Sequence, residues 1–522
     1  MRHHIHPTPD VLVVGAGPAG LTAAITLARH GIDVLVVERH AGTSPFPKAT
    51  GVSTRTMELL RTWGLEERVR AGAMAVRPVM AVSDTLVGPA HTSVPFGYPS
   101  DEQALAVSPT VPCCCPQDHL EPVLCDHLLE CGGRVRFGTE LTGLTLDAAG
   151  VTAGLRDRST GTDFEVRARY VIGADGPRSA VRRALGIDVE DLGTIGDFVA
   201  VTFRADLARH LSRTPSAINA VEVVGAEGLF VPTSTDDRWI YAREWHPARG
   251  DDIADWTPQR CTALLRAGSG LPDLRPEILA VMPFVMGGHV ARAFRSGRGF
   301  LVGDAAHRTT PVGGTGMNTA IHAAHNLAWK LAWVLDGWAG EALLDSYEAE
   351  RRPIGTENVL RSLRRGPAAD SDALAWDVGV RYASAVLPDA AGELAPHAWV
   401  RSAGRRVSTL DLFDGRLTLL TGRAADRWRR AAVEVRAGGP PITVRTVGVD
   451  LCDDDGGDGD GGDGRDSVTG RYGLGDAGAA LVRPDGYLAW RSPGPATDAR
   501  AELRAAVDLV LGRTEPALVR TG

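Results

Sequence analysis

The stretch from Val11 to Glu38, VLVVGAGPAGLTAAITLARHGIDVLVVE, limits what this chain can fold into more than any other. Two runs of four apolar residues, at 11–14 and 34–37, have the pattern of strands buried on both faces of a parallel sheet. Gly15-Ala16-Gly17-Pro18-Ala19-Gly20 follows the first run directly. The spacing predicts a helix over 21–30, stopped by Gly31 at C′. This order is the βαβ fingerprint of a dinucleotide site. Gly15 permits the tight turn, Gly17 lets backbone N–H groups approach a pyrophosphate, and Gly20 lets the helix pack close to the strand. The helix N-terminus, opened through Pro18 and Ala19, puts partial positive charge on the phosphates. Glu38 can accept both hydroxyls of an adenosine ribose and would repel a 2′-phosphate, which favours FAD or NAD over NADP here.

At 522 residues the chain is too long for one core, so two to four domains are expected. A net charge of -8 gives no reason to expect a nucleic-acid partner. No apolar run reaches the length of a membrane span, and the N-terminus MRHHIHPTPD lacks the apolar core of a signal peptide. A cytoplasmic location is the expectation. Seven unevenly placed cysteines argue against a disulfide framework.

Beyond Glu38, the pattern predicts a helix over 54–63. Lys48 and Arg55 flank the place where a pyrophosphate would continue outward. Residues 75–112 are β-like and punctuated by proline. Cys113-Cys114-Cys115 invites a metal reading, but adjacent cysteines cannot all point at one tetrahedral ion, so they are read as small buried residues at a strand end and no metal is assigned. A helix follows over 117–130, then strands at 134–137 and 141–144 expected to return to the first sheet. A buried strand at 170–173 ends in Asp175-Gly176 and enters a helix over 179–185. Residues 191–290 read as an antiparallel sheet inserted into the α/β framework, with one helix over 258–267. A further strand, acid and glycine loop appear in GDAAHRTTPVGGTGMN at 303–318, followed by a helix stopped by Gly337 and another through 343–352. Alanine- and proline-rich residues 366–400 read as a boundary. The tail shows strands at 416–420, 442–449, 479–483 and 487–490 and a helix over 497–511. The Asp/Gly-rich run 453–466 lacks the closing glutamate of an EF-hand and reads as a disordered insertion.

Three motifs in this order, GAGPAG with Glu38-Arg39, GADGPRSAVR at 173–182 and GDAAHRTTPVGGTGMN at 303–318, resemble the single-component (group A) FAD-dependent aromatic monooxygenases. LLDSYEAERRPIG at 343–355 fits as well. AALVRPDGYLAWR at 479–491 is similar to the thioredoxin-like tail of the phenol hydroxylase and aromatic polyketide hydroxylase branch. The resemblance implies a Rossmann-like α/β FAD-binding domain in three parts (1–76, 113–190, 291–365), an inserted antiparallel-sheet substrate domain (77–112, 191–290), a linker (366–400) and a thioredoxin-like C-terminal domain without CxxC (401–522). It implies FAD as cofactor, NADPH or NADH as transient co-substrate with no domain of its own, and O2. The reaction implied is hydroxylation of a phenolic or polyketide-type aromatic through a flavin C4a-hydroperoxide. Epoxidation or Baeyer–Villiger oxygenation of a polycyclic ketone is the alternative, and a flavoprotein scaffold, cyclase or reductase lies further off. A homodimer is the expected assembly.

Residue by residue, the resemblance places Gly15, Gly17, Pro18, Ala19, Gly20, Glu38 and Arg39 at the ADP half of FAD. Lys48 and Arg55 fall at the pyrophosphate, Gln117 at the ribityl chain and Leu141 at adenine. Asp175 serves FAD and NAD(P)H, and Asp304 the ribityl and pyrophosphate region. Pro311, Gly314, Gly316, Met317 and Asn318 wrap the isoalloxazine. The helix beginning near Met317 would aim its N–H groups at the flavin N1–C2=O edge. Tyr98, Phe230, Tyr241, Trp245, Phe284, Met286 and His289 are the substrate-facing candidates, with His289 also the candidate base.

Overall fold

In the computed structural model, residues 8–95, 97–211, 214–235, 237–364, 373–388, 391–436, 439–453 and 467–513 are described. One six-stranded sheet explains why the three distant motifs meet. Its order runs Arg295–Ser296, Gly299–Leu301, Tyr170–Gly173, Val11–Val14, Val34–Val37, Arg134–Arg136. All pairs are parallel except the first. The strands that precede the glycine turn, Asp175 and Asp304 are therefore side by side, and their carboxyl ends open on one edge. That edge is where open α/β sheets bind ligands. Val11, Leu12 and Val13 are fully buried, as a strand covered on both faces requires.

The helix after the glycine turn spans Pro18–Arg29, and Gly31 takes φ +79° just past its end. The Gly316–Leu335 helix packs against it. Ala342–Ser362 runs ten residues past the expected stop, through Pro353. A proline inside a helix costs about 3 kcal/mol. Burial of Tyr347, Glu350, Arg351, Gly355 and Val359 along the same helix holds it continuous.

The inserted sheet has eight strands, ordered His307–Arg308, Glu277–Ala291, Val189–Arg204, Arg238–Trp245, Gly228–Pro232, Ser216–Val221, Arg77–Ser83, Ala90–Pro95. It is not purely antiparallel, because Ser216–Val221 and Arg77–Ser83 run parallel. A second correction concerns 141–144. That segment belongs to Thr139–Leu146, which leaves the first sheet and forms a separate three-stranded antiparallel sheet with Val151–Asp157 and Asp163–Ala168. After Thr139 its residues are half-buried or exposed, against the full burial of the central strands Val11–Val14 and Tyr170–Gly173, and that is the physical difference.

Residues 373–388 hold more structure than a linker. Asp377, at the end of the short Ala373–Asp377 helix, accepts the N–H groups of Thr54 (2.8 Å) and Arg55 (3.2 Å), and Tyr382 stacks on Tyr487 at 3.9 Å. The C-terminal part has a four-stranded sheet ordered Ile442–Thr446, Leu417–Thr421, Ala479–Val482, Leu488–Ser492. The first pair is parallel and the others antiparallel. Helices Asp426–Val435 and Ala499–Val510 pack against each other beside this sheet, with Trp428 edge-on to Trp490. Cys113–Cys114 is a strand paired with Gly51–Val52, and all seven cysteines are free thiols. Among the described residues no group of three or more His, Cys, Asp or Glu is placed to hold a metal, and no helix is long and apolar enough to cross a membrane. The Asp/Gly-rich run lies outside the described residues from 454 to 466.

Candidate active site

The three motifs touch one another at the strand ends. A Cβ on Gly15, which has φ +109°, would strike the Ala174 carbonyl, and a Cβ on Gly20 would strike the Gly15 carbonyl. Gly303 lies so close to the dinucleotide helix that a Cβ there would sit 3.0 Å from the Ala19 Cβ. Gly17 is different: its φ is an ordinary −76°, and nothing lies within 4 Å of its would-be Cβ. The helix it opens has no side-chain cap. An open cradle before an uncapped helix N-terminus is what a pyrophosphate requires.

Glu38 is pre-oriented beside this cradle. Its Oε2 accepts the Ala16 N–H at 3.0 Å, and its Oε1 accepts the His40 N–H at 3.0 Å and meets the His40 ring Nδ1 at 2.5 Å, which leaves a lone pair on Oε2 for a ribose hydroxyl. Arg39 is exposed next to it. The Glu38 carbonyl accepts the Thr139 N–H at 2.8 Å, which brings the Leu141 strand alongside.

Asp304 follows the Gly299–Leu301 strand. Solvent reaches its carboxylate, yet protein surrounds it deep in the cleft. Desolvation pushes its pKa up to about 6 against the opposing pull of Arg308 and Lys48. Lys48 thus faces the cleft. Arg55 does not: its Nη1 donates to Glu58 Oε2 at 2.8 Å and its Nη2 to the Asp485 carbonyl at 2.6 Å. The arginine expected at the pyrophosphate is engaged with the C-terminal part instead. Gln117 donates through Nε2 to Glu121 Oε1 at 2.6 Å, and Glu121 in turn accepts the Ser44 N–H.

Asp175 is used by the turn. Its carboxylate accepts the Ser179 hydroxyl and the N–H groups of Ala180 (2.6 Å) and Val181 (3.1 Å), so both oxygens cap the Ala180–Ala184 helix. Arg182 of that helix, which sequence reasoning missed, donates to the Ala305 carbonyl at 3.0 Å and ties the second motif to the third.

The 311–318 loop bends through Gly313 (φ +79°) and Gly314 (φ +65°). Pro311 accepts the Gly314 N–H at 3.1 Å. The Gly316–Leu335 helix then starts without a side-chain cap. Met317 is buried against the core, and Asn318 is held by polar contacts from several sides. Tyr98 corrects its assignment to the substrate. Its ring is buried, and its hydroxyl donates to the Gly314 carbonyl at 2.7 Å. A Cβ on Gly314 would meet that hydroxyl at 2.7 Å, so a side chain there would collide with Tyr98.

The inserted sheet sorts the other candidates by face. Phe230, Tyr241, Val201 and Val281 stand opposite one another across four strands. They pack on Cys261 and Leu265 of the Pro258–Ser269 helix, with Trp245 at the margin. Phe230, Tyr241 and Trp245 are therefore core residues, because alternate side chains of a strand share a face. The adjoining rows, Leu229–Ala242–Ala200–Met282 and Val231–Ile240–Thr202–Ala280, point the other way. Arg238 on that face pairs with Asp118 of the Gln117–Glu130 helix at 2.7 Å, so it looks toward the nucleotide-binding half. Phe284 and Met286 lie on this inner face, with the Phe284 ring 5.7 Å from Phe198. The small residues Ala200, Ala242 and Ala280 leave room above the strands; strand periodicity carried this signal, but not the choice of face.

His289 sits under the third motif. Its ring faces the Asp304 backbone, its Nε2 is buried without a partner, and desolvation together with Arg182 and Arg308 lowers its pKa to about 4. It is neutral at pH 7 and away from the inner face of the sheet. A cavity of about 450 Å³ lies elsewhere, against the C-terminal part, with His30, Arg55, Glu58, Trp63, His325 and Asp485 in its wall. It includes none of the glycines or acids of the three nucleotide-site motifs at 15–38, 173–182 and 303–318, so it does not locate the chemistry.

The open cradle at Gly17, Glu38 beside it and the accessible carboxylate of Asp304 at the cleft fit FAD. Comparisons with known proteins agree. Residues 8–362 match the family model described as FAD binding domain, and 388–514 match aromatic-ring hydroxylase, C-terminal. The tetracenomycin A2 monooxygenase-dioxygenase of Streptomyces glaucescens is 38% identical, over 97% of this chain and 97% of that protein. The aklavinone 12-hydroxylase of Streptomyces purpurascens is 38% identical, over 97% and 99%. The crystal structure of an aklavinone-11 hydroxylase with FAD and aklavinone superposes with a TM-score of 0.86 at 36% identity, covering 98% of this chain and all of that one. The chain belongs to the single-component FAD-dependent monooxygenases, in the branch of the aromatic-ring and polyketide hydroxylases, and FAD is its cofactor.

Proposed function

We propose that this protein hydroxylates a polycyclic, polyketide-type aromatic, taking electrons from NADPH or NADH. The observation that carries the reading is the meeting of two surfaces: the convergent strand ends of the three motifs, and the inner sheet face floored by Ala200, Ala242 and Ala280. Relatives are named for tetracenomycin A2 and aklavinone, and one solved structure holds FAD and aklavinone together. FAD bound at the strand ends supplies the two-electron chemistry that activates O2.

The chain's own residues do the rest. Gly17 and the Pro18–Arg29 N-terminus hold the pyrophosphate, Glu38 the ribose, and Lys48 replaces Arg55 as the cation at the cleft. Backbone N–H groups at the start of the Gly316–Leu335 helix favour negative charge at the pyrimidine edge of the ring system. Leu229, Val231, Ile240 and Met282 exclude water and seat a flat apolar ligand. Asp175 acts through the helix it caps. The C-terminal part is thioredoxin-like: its strand order and its one parallel pair support this, and the tail has a lone cysteine, Cys452, so its role is structural.

The test is steady-state oxidation of NADPH by the FAD-loaded protein. Polycyclic phenols should accelerate it well above the basal rate, while single-ring phenols should do so less. Equal rates with and without every polycyclic tested would refute the reading.

A further inference from the structure

Arg55 stands at a junction that no sequence motif announces. On one side is a buried ionic cluster. Arg483 donates to both carboxylate oxygens of Glu350 (2.8 and 2.9 Å) and to both of Asp485 (3.0 and 2.6 Å), and Lys330 Nζ donates to Glu350 at 2.7 Å. Arg483 and Lys330 are fully buried. This cluster joins the 479–491 motif to the 343–355 motif and fixes the turn at Asp485. The backbone carbonyl of Asp485 then accepts Arg55 Nη2 at 2.6 Å.

On the other side the Thr54–Thr62 helix leads to the 311–318 loop. Ser53, its N-cap, donates its N–H to Asn318 Oδ1 at 3.0 Å, and Thr56 Oγ1 donates to the same oxygen at 2.8 Å. Asn318 Nδ2 donates to the Gly314 carbonyl at 3.2 Å and to Tyr98 at 3.3 Å, and the Tyr98 hydroxyl donates to that same carbonyl. Two donors therefore orient the Gly314 peptide, and both are placed by Asn318. Gly313 and Gly314 both take positive φ, a backbone state that glycine leaves easily. Asp377 grips the Thr54 and Arg55 N–H groups from the chain segment leading into the C-terminal part.

We infer that the C-terminal part is a positioning device for the 311–318 loop, acting through Asp485, Arg55 and Asn318. The inference rests on the reading of that loop as flavin-facing. Asp485 meets Arg55 by a direct hydrogen bond, and the Thr54–Thr62 helix carries Arg55 to Asn318 through the direct bonds of its neighbours Ser53 and Thr56, which lie in a buried polar network where loss of a partner is costly. The arrangement gives a domain without redox residues a function at the cofactor: it sets the peptide plane against which the ring system lies. Arg55 is a positioning residue in this account, and contacts no substrate.

The test compares the wild-type protein with Arg55→Lys. A lysine has one nitrogen where the guanidinium meets Glu58 and the Asp485 carbonyl with two, so the paired geometry is lost. Hydrogen exchange is followed on the full-length apoprotein. Exchange at 311–318 should rise about tenfold, with the 11–14 and 34–37 strands unchanged. On adding FAD, the long-wavelength flavin absorption band should shift relative to wild type. Glu350→Gln, which weakens the grip on Arg483 from two links further off, should raise exchange at 311–318 about threefold, and it serves if Arg55→Lys does not fold. Faster exchange confined to 484–486 and the Thr54–Thr62 helix, with 311–318 as in wild type, would overturn the inference. Failure of the wild-type protein to bind FAD would instead sink the flavin reading, because the exchange experiment uses no cofactor.

Discussion

Two carboxylates, Asp304 in the cleft within reach of solvent and Glu350 buried at the seam between the parts, show opposite behaviour. Desolvation acts on both. At Asp304 it wins, and the pKa rises to about 6 although Arg308 and Lys48 pull the other way. At Glu350 burial alone would raise the carboxyl, but Arg483 and Lys330 at contact distance overcome it and hold the group well below the usual carboxylate range. The difference separates a site from a joint. A carboxylate that solvent reaches and that has no ion-pair partner is open to a ligand, whereas a saturated cluster commits its charge to holding two regions together.

The comparison is easiest to break at the seam. Arg483→Met leaves Glu350 and Asp485 buried with only Lys330 to balance them, and should lower the unfolding free energy by about 3–5 kcal/mol in urea titrations. Asp304→Asn should leave the apoprotein at least as stable as wild type while weakening FAD. Comparable losses of stability in the two variants would erase the distinction. Core residues reassigned from the substrate sharpen it further: Phe230→Ala should cost about 3–5 kcal/mol of stability, whatever substrate is offered.

At the nucleotide, Glu38→Ala should weaken FAD binding by about 1–3 kcal/mol through lost charge-assisted hydrogen bonds, read by flavin fluorescence titration. Gly17→Ala isolates the cradle. Its φ suits alanine and no atom stands in the way, so apo stability should move by less than about 0.5 kcal/mol. FAD affinity should fall about tenfold, because the methyl fills the space meant for phosphate. A fold loss without an affinity loss would contradict the role given to Gly17.

The smallest effects are in pH. Asp304 has a raised pKa in the native state, so its contribution to apo stability falls as pH rises from 3.8 to about 6. His307 goes the opposite way. Fully buried and lowered to about 3 by desolvation and Arg351, it stays neutral in the fold, so stability is lost as pH falls from 6.5 toward 3. Thermal melts of the apoprotein across this range should show the first slope vanish in Asp304→Asn and the second persist.

Much of the nucleotide site was legible in the sequence because its signals are local. Val11–Glu38 reads as strand, turn, helix and strand because Gly15 takes a positive φ at the turn and Gly20 packs on the Gly15 carbonyl five residues back. What was missed depends on distant partners. Arg55 looks like a pyrophosphate ligand until the Asp485 carbonyl, 430 positions on, is seen to hold it. Asp175 suits a cofactor equally well until its own helix is found to use both oxygens. Tyr98 was an aromatic beside an expected pocket, and only the fold brings it to Gly314. Strand alternation separates Phe230 and Tyr241 from Ala200 and Ala242, but it does not say which set meets the Pro258–Ser269 helix. Pro353 is a local stop signal that packing overrides.

In the proposed reaction, oxygen from O2 enters a polycyclic aromatic held between the inner sheet face and the three strand ends. The measurement is the product mass after turnover with NADPH under ¹⁸O2. The account predicts one labelled oxygen atom in the hydroxylated product and none when the label is in water. Label from water alone, or substrate returned unchanged while NADPH is consumed, would contradict it.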